Sequence, residues 1–195
     1  MPIREAVSAA ALEQHVGAIT SEVRLSGSTE EARAFDYIAA QLTHFGYDVQ
    51  RFSSEALIGY PLRASLHVLG DVPLAIRANG YSLSPSTGPD GVRGDLVYVA
   101  SGMPASYAGI AVQSKIVLSD GLAMPGKARA ASLAGAMGQI HANDEHIHEM
   151  CLSPVWGTPT PETAPLLPDV PAVGVTTEDG NRLKARLANG PVSVH

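Results

Sequence analysis

The chain has 195 residues, with 13 lysines and arginines against 19 aspartates and glutamates, and its formal net charge at pH 7 is −6. This acidic balance excludes a nucleic-acid partner, because no basic stripe is present to neutralise phosphates. No apolar run approaches the length of a membrane span. The single cysteine, Cys151, excludes an internal disulfide and favours a reducing compartment. Since the N-terminus also lacks a signal-peptide pattern, we expect a cytoplasmic protein.

Two amphipathic helices and a strand are predicted at the start of the chain. The first helix has apolar residues at helical spacing, namely Leu12, Val16, Ile19 and Val23. Ser28 is a suitable N-cap for the second helix, and Glu31, three residues later, completes a capping box. The second helix has an apolar face made of Ala34, Phe35, Ile38, Leu42 and Phe45. Gly46 ends it, and residues 47–52 predict a strand.

The pattern changes near residues 53–59, which predicts a domain boundary there. We assign residues 1–54 to one domain and residues 55–195 to another. Beyond the boundary, short apolar runs alternate with Gly, Pro, Asn and Asp. These runs predict strands over residues 62–69, 72–78 and 95–100, with turns at residues 79–80 and 89–91.

The centre of the chain predicts a strand over residues 115–121, a small-residue helix over 127–136 and a second strand over 137–140. Glycines lie at the joints, and no residue in the stretch has a catalytic pattern. Residues 141–171 contain repeated prolines, which exclude a central strand or helix. A strand over residues 170–175, a helix capped by Thr176 and ended by Gly190, and a strand over 192–194 close the chain.

The centre and the end of the chain together resemble a protease-associated (PA) domain. The residues that carry this resemblance are Lys115–Asp120, Lys127, Ala131, Ala134–Ala136, Gly138–Ile140 and Asn143, followed by Val170–Val175, Glu178–Gly180 and Leu183. The first domain resembles the start of the M28-type zinc aminopeptidases and carboxypeptidases, through residues 26–29, 34–38 and 42–47. The resemblance implies an α/β (α+β) protein. Its PA domain would be a β-sandwich or barrel with flanking helices, preceded by two helices and a strand of an incomplete peptidase domain.

The resemblance also implies zinc for the intact family enzyme, a metallopeptidase in which a metal-bound water attacks a peptide bond. The family's zinc ligands include a His-x-Asp motif and a Glu-Glu pair that follow the PA domain. This sequence has no His-x-Asp, and its pair Glu30–Glu31 lies at a helix start. We therefore assign no catalytic residue, no metal ligand and no bound cofactor to this chain. We expect no peptidase activity from it alone.

The function implied is that of a non-catalytic N-terminal and PA-domain portion of an M28-like zinc exopeptidase, which shapes substrate access or subunit association. Two alternatives stay open: a stand-alone PA-type protein-interaction module and a histidine-rich metal-binding domain. The partners implied are a peptide substrate or a partner subunit. Residues 1–52 are also expected to expose an apolar face, which favours self-association or docking to a missing catalytic portion.

The candidate substrate- or partner-facing residues are His146, His148 and Trp156. His146 and His148 alternate, so on a strand they would share a side and could bind a metal with Asp144 or Cys151; otherwise they belong to a polar surface loop. Cys151 is a candidate thiolate nucleophile or a partly buried lone thiol. Trp156, in a proline-stiffened loop, either pins a small satellite core or offers a rigid aromatic edge to a partner. No Gly-x-Ser-x-Gly motif supports a serine nucleophile.

Overall fold

The computed structural model describes residues 7–155 and 157–195 and divides into two compact units. Unit 1 ends at Ile58, and unit 2 spans Gly59–His195. The boundary expected from sequence, between residues 54 and 55, lies four residues earlier. No helix in the described part of the chain is long and apolar enough to cross a membrane.

The described residues of unit 1 form two helices, α1 (Ala9–Ile19) and α2 (Thr29–His44). The side chain of Ser28 caps α2 by accepting a hydrogen bond from Glu31 N at 3.1 Å, while Glu31 Oε2 reaches back to Gly27 N at 2.6 Å. The helices meet through His15 Nδ1 and the Tyr37 hydroxyl, 2.8 Å apart. The predicted strand over residues 47–52 is wrong for this chain, because no described segment of unit 1 pairs with it.

Unit 2 is built on one eight-stranded sheet. Its strands are β1 (Leu66–Val68), β2 (Leu74–Ile76), β3 (Asn79–Gly80), β4 (Gly94–Tyr98), β5 (Ile116–Asp120), β6 (Gly138–Ala142), β7 (Ala172–Val175) and β8 (Ser193–Val194). Two helices, α3 (Pro125–Leu133) and α4 (Thr177–Asn189), and two short 3-10 helices, Pro104–Tyr107 and Ala164–Leu166, complete the unit.

The order of strands across the sheet is β2-β1-β8-β4-β5-β6-β7-β3. The pairs β4–β5, β5–β6 and β6–β7 are parallel, and the others are antiparallel. The two edge strands, β2 and β3, are joined by only residues 77–78, so the sheet curls until its edges are neighbours. The last strand, β8, lies between β1 and β4.

The sheet packs a helix on each face. Leu183 of α4 joins Leu118 and Ile140 in the main core, whereas Ala128 and Ala131 of α3 belong to two smaller clusters on the opposite face. Alternation along β5 and β6 explains the division, because successive side chains of a strand point to opposite faces. This architecture confirms the predicted fold class.

Most elements of unit 2 follow the sequence prediction, with one clear exception. The strand–helix–strand stretch forms as β5, α3 and β6, and the Thr176 hydroxyl caps α4 by accepting from Asp179 N at 3.1 Å. The turn predicted at Asn79–Gly80 is wrong: these residues form β3 and pair with Gly174 and Val173 of β7. Pairing with a distant strand therefore outweighs the local turn propensity of Asn-Gly.

The closest helix–sheet contact gives a stability prediction. A Cβ at Gly180 of α4 would overlap the Cβ of Ala142 in β6. Gly180→Ala should therefore lower the free energy of unfolding by about 1–3 kcal/mol, despite the better helix propensity of alanine. Gly126→Ala in α3, where no atom lies within 4 Å of the new Cβ, is the matched control and should be neutral or slightly stabilising. Urea unfolding measures both, and recovery of stability in Gly180→Ala with Ala142→Gly would establish the overlap as the cause.

Candidate functional site

The carboxyl ends of the parallel strands lie at one edge of the sheet. Tyr98 ends β4, Asp120 ends β5, Asn143 follows β6 and Thr176 follows β7. In open α/β sheets this edge is where ligands bind, because loops and helix N-termini converge there. We therefore take this carboxyl edge, with the loop of residues 143–151 that follows β6, as the candidate site.

A line of buried polar side chains runs beneath this edge, on the face that α3 covers. Gln139 Nε2 donates to the carbonyls of Ala128 and Val170, at 3.2 and 3.4 Å, so its Oε1 is the atom left to accept. That oxygen lies 3.1 Å from His141 Nε2, which therefore carries the proton. His141 Nδ1 then accepts from the Ser119 hydroxyl at 2.9 Å. The line is fully hydrogen-bonded with a neutral imidazole.

The Ser119–His141 pair has the spacing of a serine and its general base, but its environment excludes that chemistry. Both residues are only 2% exposed. Burial and the nearby Lys127 ammonium lower the pKa of His141 to about 3, so the imidazole is a poor proton acceptor at neutral pH. Gly102 closes the cluster at φ +66°, and a Cβ there would lie 2.7 Å from Ser119 Cβ. The pair therefore serves to join strands β5 and β6 within the sheet.

A second polar group, centred on Asp120, joins both helices to the edge. Lys127 Nζ of α3 donates to the Asp120 carbonyl at 2.6 Å, and Lys184 Nζ of α4 donates to Asp120 Oδ1 at 2.9 Å. Asp120 Oδ2 accepts from the Tyr98 hydroxyl, and this hydrogen bond, with some burial, raises the pKa of Tyr98 to about 12. Burial lowers the pKa of Lys127, an effect that Asp120 partly offsets. Asp120, Lys127 and Lys184 thus each already bind another group of the protein.

The loop of residues 143–151 is held at both ends. Asn143 Nδ2 donates to the Tyr81 hydroxyl at 3.2 Å, and its Oδ1 accepts from the amides of Asp144 and His148 at 2.8 and 3.4 Å. At the far end, the loop pairs with Ser82, whose amide donates to Met150 O at 3.1 Å. The loop is thus fixed at its base, while its charged side chains point into solvent.

The structure brings the two predicted histidines to the surface of this loop. His146 and His148 are exposed, and neither lies on a strand, so the alternation expected from sequence is not realised. His148 Nε2 lies 3.6 Å from Asp144 Oδ2, an exposed pair of small energetic value. Cys151, expected to be partly buried if it was no nucleophile, is exposed. Trp156 lies outside the described residues.

No group of three or more metal-ligating side chains converges among residues 7–155 and 157–195. The zinc that the family resemblance implies therefore has no fitting set of ligands in this part of the chain. The alternation of His146 and His148 in sequence predicts a shared side only if both residues lie on a strand. Here they lie in a loop whose base is held by Asn143, and side chains in a loop do not alternate as they do in a strand.

The buried residues Ser119, Gln139 and His141 were not predicted from the sequence as a connected group. The sequence predicted that His141 begins the irregular segment, whereas this residue belongs to β6. The available signal was the occurrence of Ser119 and of Gln139 with His141 at alternating positions of two apolar strands. Polar residues at such spacing form one line on one face of a sheet.

A curled sheet with a parallel centre and a helix on each face is the architecture of an α/β domain. In this domain the polar groups lie at the carboxyl ends of the parallel strands. Residues 92–183 match the family model described as the PA domain. The resemblance seen in the sequence is therefore confirmed over these residues. None of the curated proteins compared with the chain matches it.

Solved peptidase structures share the fold. An aminopeptidase from Aneurinibacillus sp. strain AM-1 is 24% identical, with a TM-score of 0.66 over 96% of this chain and 43% of that one. A peptidase M28 precursor from Shewanella amazonensis SB2B is 22% identical, with a TM-score of 0.64 over 93% and 45%. A zinc aminopeptidase from Bacillus subtilis is 21% identical, with a TM-score of 0.63 over 94% and 42%. The chain thus spans less than half the length of the structures it resembles.

The neutral, buried His141 makes stability depend on pH. The unfolded chain binds a proton at this residue below pH 6.5, whereas the folded chain resists protonation until about pH 3. The free energy of unfolding should therefore fall by about 3 kcal/mol between pH 7 and pH 4 through this residue. Urea unfolding across this range should show the loss in the unmodified chain.

The variant His141→Gln isolates this contribution, since glutamine does not titrate. It should be less stable than the unmodified chain at pH 7, but it should lose correspondingly less stability on going to pH 4. His148→Gln, which changes an exposed histidine, should keep the original pH dependence. Equal slopes for His141→Gln and the unmodified chain would contradict the assignment of the buried neutral imidazole.

The geometry of the 143–151 loop also predicts its behaviour toward zinc. Since only Asp144 lies near His148 in this loop, calorimetric titration with zinc should give no saturable heat. Heat that saturates, and that disappears when His146 and His148 are both changed to alanine, would support the metal-binding alternative instead. His44→Ala, in α2, serves as the control for non-specific histidine binding.

Proposed function

We propose that this chain is a non-catalytic N-terminal and PA-domain portion of an M28-like zinc exopeptidase. The observation that carries the proposal is the fold match, which takes in 93–96% of this chain but only 42–45% of the aminopeptidase and M28 peptidase structures. The described residues supply two of the modules expected in such an enzyme, and they bring together no set of zinc ligands. Zinc and the groups that activate its water would then come from polypeptide outside residues 1–195.

The role we propose for unit 2 is to shape access of a peptide substrate or to support association of subunits. The carboxyl edge supports this role, because its loop of residues 143–151 is fixed at the base and exposed at the surface. A rigid loop presents side chains at little entropic cost on binding. His146 and His148 are the residues of this loop that we propose to face substrate or partner, together with Trp156 from the segment beyond it.

A stand-alone interaction module is the second candidate. The observation that favours it is the self-sufficient packing of unit 2, whose core includes fully buried Leu118, Val175 and Leu183. A domain with its own hydrophobic core can fold without the rest of a larger protein. Both candidates use the same surface, and they differ in whether a catalytic portion is attached.

Peptidase assays separate these candidates. Residues 1–195 supplied with zinc should release no amino acid from peptides or aminoacyl p-nitroanilides, because the ligands for a catalytic metal are lacking in the described chain. The full-length product of the same gene should cleave both in a zinc-dependent way that a chelator abolishes. Zinc-dependent turnover by residues 1–195 themselves would overturn the non-catalytic assignment, and an inactive full-length product would favour the stand-alone module.

The proposed role of the loop is tested in the full-length product. Changing His146 and His148 to alanine should raise KM for long peptides, while kcat for a p-nitroanilide stays the same, because the loop would contact only the extended part of a substrate. His44→Ala is the control outside the loop. Unchanged KM for every peptide length would remove these histidines from the substrate-facing surface.

A further inference from the structure

We propose that His67 and His195 form a binding site for a divalent copper ion, in which the two imidazoles are the protein ligands. His67 lies in β1, and His195 directly follows β8. The proposal is independent of the proposed function, because both residues belong to unit 2 and the site needs no catalytic portion.

The backbone places the two histidines directly opposite each other. His67 N donates to His195 O at 2.8 Å, and His195 N donates to His67 O at 2.8 Å. This reciprocal exchange defines a hydrogen-bonded antiparallel pair, whose side chains leave the same face with Cβ atoms roughly 4.5–5.5 Å apart. Since a metal–nitrogen bond is about 2.0 Å long, two imidazole rings at this spacing can bind one ion.

Both rings lie on the side of the sheet that faces solvent. Leu66 and Val68, the neighbours of His67, are 4% and 2% exposed, and Val194 beside His195 is fully buried. Because side chains alternate along a strand, the two histidines point away from this core, and both are exposed. An ion can therefore reach them without any rearrangement of the fold.

The ring of His195 is held in a tautomer that suits a metal ligand. His195 Nε2 lies 2.9 Å from the carbonyl oxygen of Asp90. That oxygen can only accept a hydrogen bond, so Nε2 carries the proton, and Nδ1 of the neutral ring keeps its lone pair. Metal-binding histidines commonly donate their other ring N–H to a backbone carbonyl in this way, which fixes the orientation of the ring.

Gly91 leaves the space that this ring occupies. Its φ of +68° lies in the left-handed region, and a Cβ at this position would overlap His195 Nε2. The backbone of the turn at residues 88–91 therefore determines where the imidazole lies. His146 and His148 have no comparable support, because their loop does not pair them with each other and the one ion pair there is exposed.

A pair of nitrogen ligands favours Cu²⁺ over Zn²⁺. Among divalent first-row metals, Cu²⁺ binds a given nitrogen site most tightly, and its tetragonal geometry leaves the remaining positions to water. Zn²⁺ in proteins usually has three or four protein ligands, and no third metal-ligating side chain joins this pair among the described residues. We therefore expect Zn²⁺ to bind at least about tenfold more weakly, without saturable heat in calorimetry.

Copper binding at this pair is linked to folding. Residues 67 and 195 lie more than a hundred positions apart, so the site exists only when β8 has joined β1. With free Cu²⁺ at about 100 times its Kd, the ratio of folded to unfolded chain should rise by up to about 100-fold. Urea unfolding with and without Cu²⁺ measures this rise, which should be absent in His67→Gln.

Electron paramagnetic resonance identifies the ligands in the 195-residue chain. The chain should carry Cys151→Ser, because the exposed thiol would otherwise compete for copper. One equivalent of Cu²⁺ should give a spectrum with hyperfine splitting from two nitrogen ligands. His67→Gln and His195→Gln should each remove one coupling and lower the affinity at least about tenfold. His148→Gln, which changes an exposed histidine outside the pair, should leave the spectrum and the affinity unchanged.

A second pair of variants changes the position of His195 without removing a ligand. Gly91→Ala should displace the ring from the Asp90 carbonyl and lower the affinity for Cu²⁺ about tenfold. Gly88→Ala is the matched control, because Gly88 has a φ of +71° in the same turn, but no atom lies within 4 Å of the new Cβ. It has similar backbone strain and should leave the affinity unchanged.

Three results would overturn the proposal. Cu²⁺ might show no saturable signal, it could bind equally well to His67→Gln, or its binding could disappear only when His146 and His148 are changed. A chain with two glycines added after His195 separates the pair from the C-terminal carboxylate. Its affinity should be unchanged, and loss of binding there would assign the ion to that carboxylate instead. Urea unfolding without copper shows that each variant still folds.

Discussion

The buried hydrogen-bonded line from Ser119 through His141 to Gln139 is the constraint on which unit 2 depends. It ties together two neighbouring strands, α3 through the Ala128 carbonyl, and the approach to β7 through the Val170 carbonyl. An unpaired polar group in this position would cost about 1–3 kcal/mol. A slip of one residue between β5 and β6 would send these side chains to opposite faces, so the line also fixes the register of the sheet.

The same constraint explains why the polar interior of this domain is structural: its hydrogen-bonding groups are paired with one another. The side chains that resemble catalytic groups are used to satisfy one another, and the charges of Asp120, Lys127 and Lys184 are joined into one group at the strand ends. What remains available is the surface of the loop that Asn143 holds in place.

The sequence predicts local features well and long-range features poorly. The helix caps at Ser28 and Thr176, and the strand–helix–strand stretch, follow from spacing within a few residues, and the structure has them. Asn79–Gly80 has the residues of a turn, but β7, more than ninety residues away, makes it a strand. His141 looks like the start of a loop because its partner Ser119 lies 22 residues earlier in sequence. Such contacts form only when the chain has folded, so local sequence patterns do not predict them.

The two units also differ in what their sequences specify. Unit 2 has alternating strands that bury one another, and its fold class was predicted through the resemblance to a PA domain. Unit 1 has the pattern of buried helices and of a strand, yet Phe35, Phe45 and Phe52 are more than half exposed. Residues 47–52 have the residue pattern of a strand, but no described segment of unit 1 pairs with them.

The position of β8 has a consequence for how unit 2 is made during translation. This strand, Ser193–Val194, is the last in sequence and yet separates β1 from β4 inside the sheet. The hairpin of β1 and β2 leaves the ribosome more than a hundred residues before the strand that joins it to the rest. Until then it has only its own pairing, and β4 has an open edge. The sheet can therefore close only after the final residues of the unit have been synthesised. Until then, β1 and β4 each have an unpaired edge that must not pair with strands of other chains.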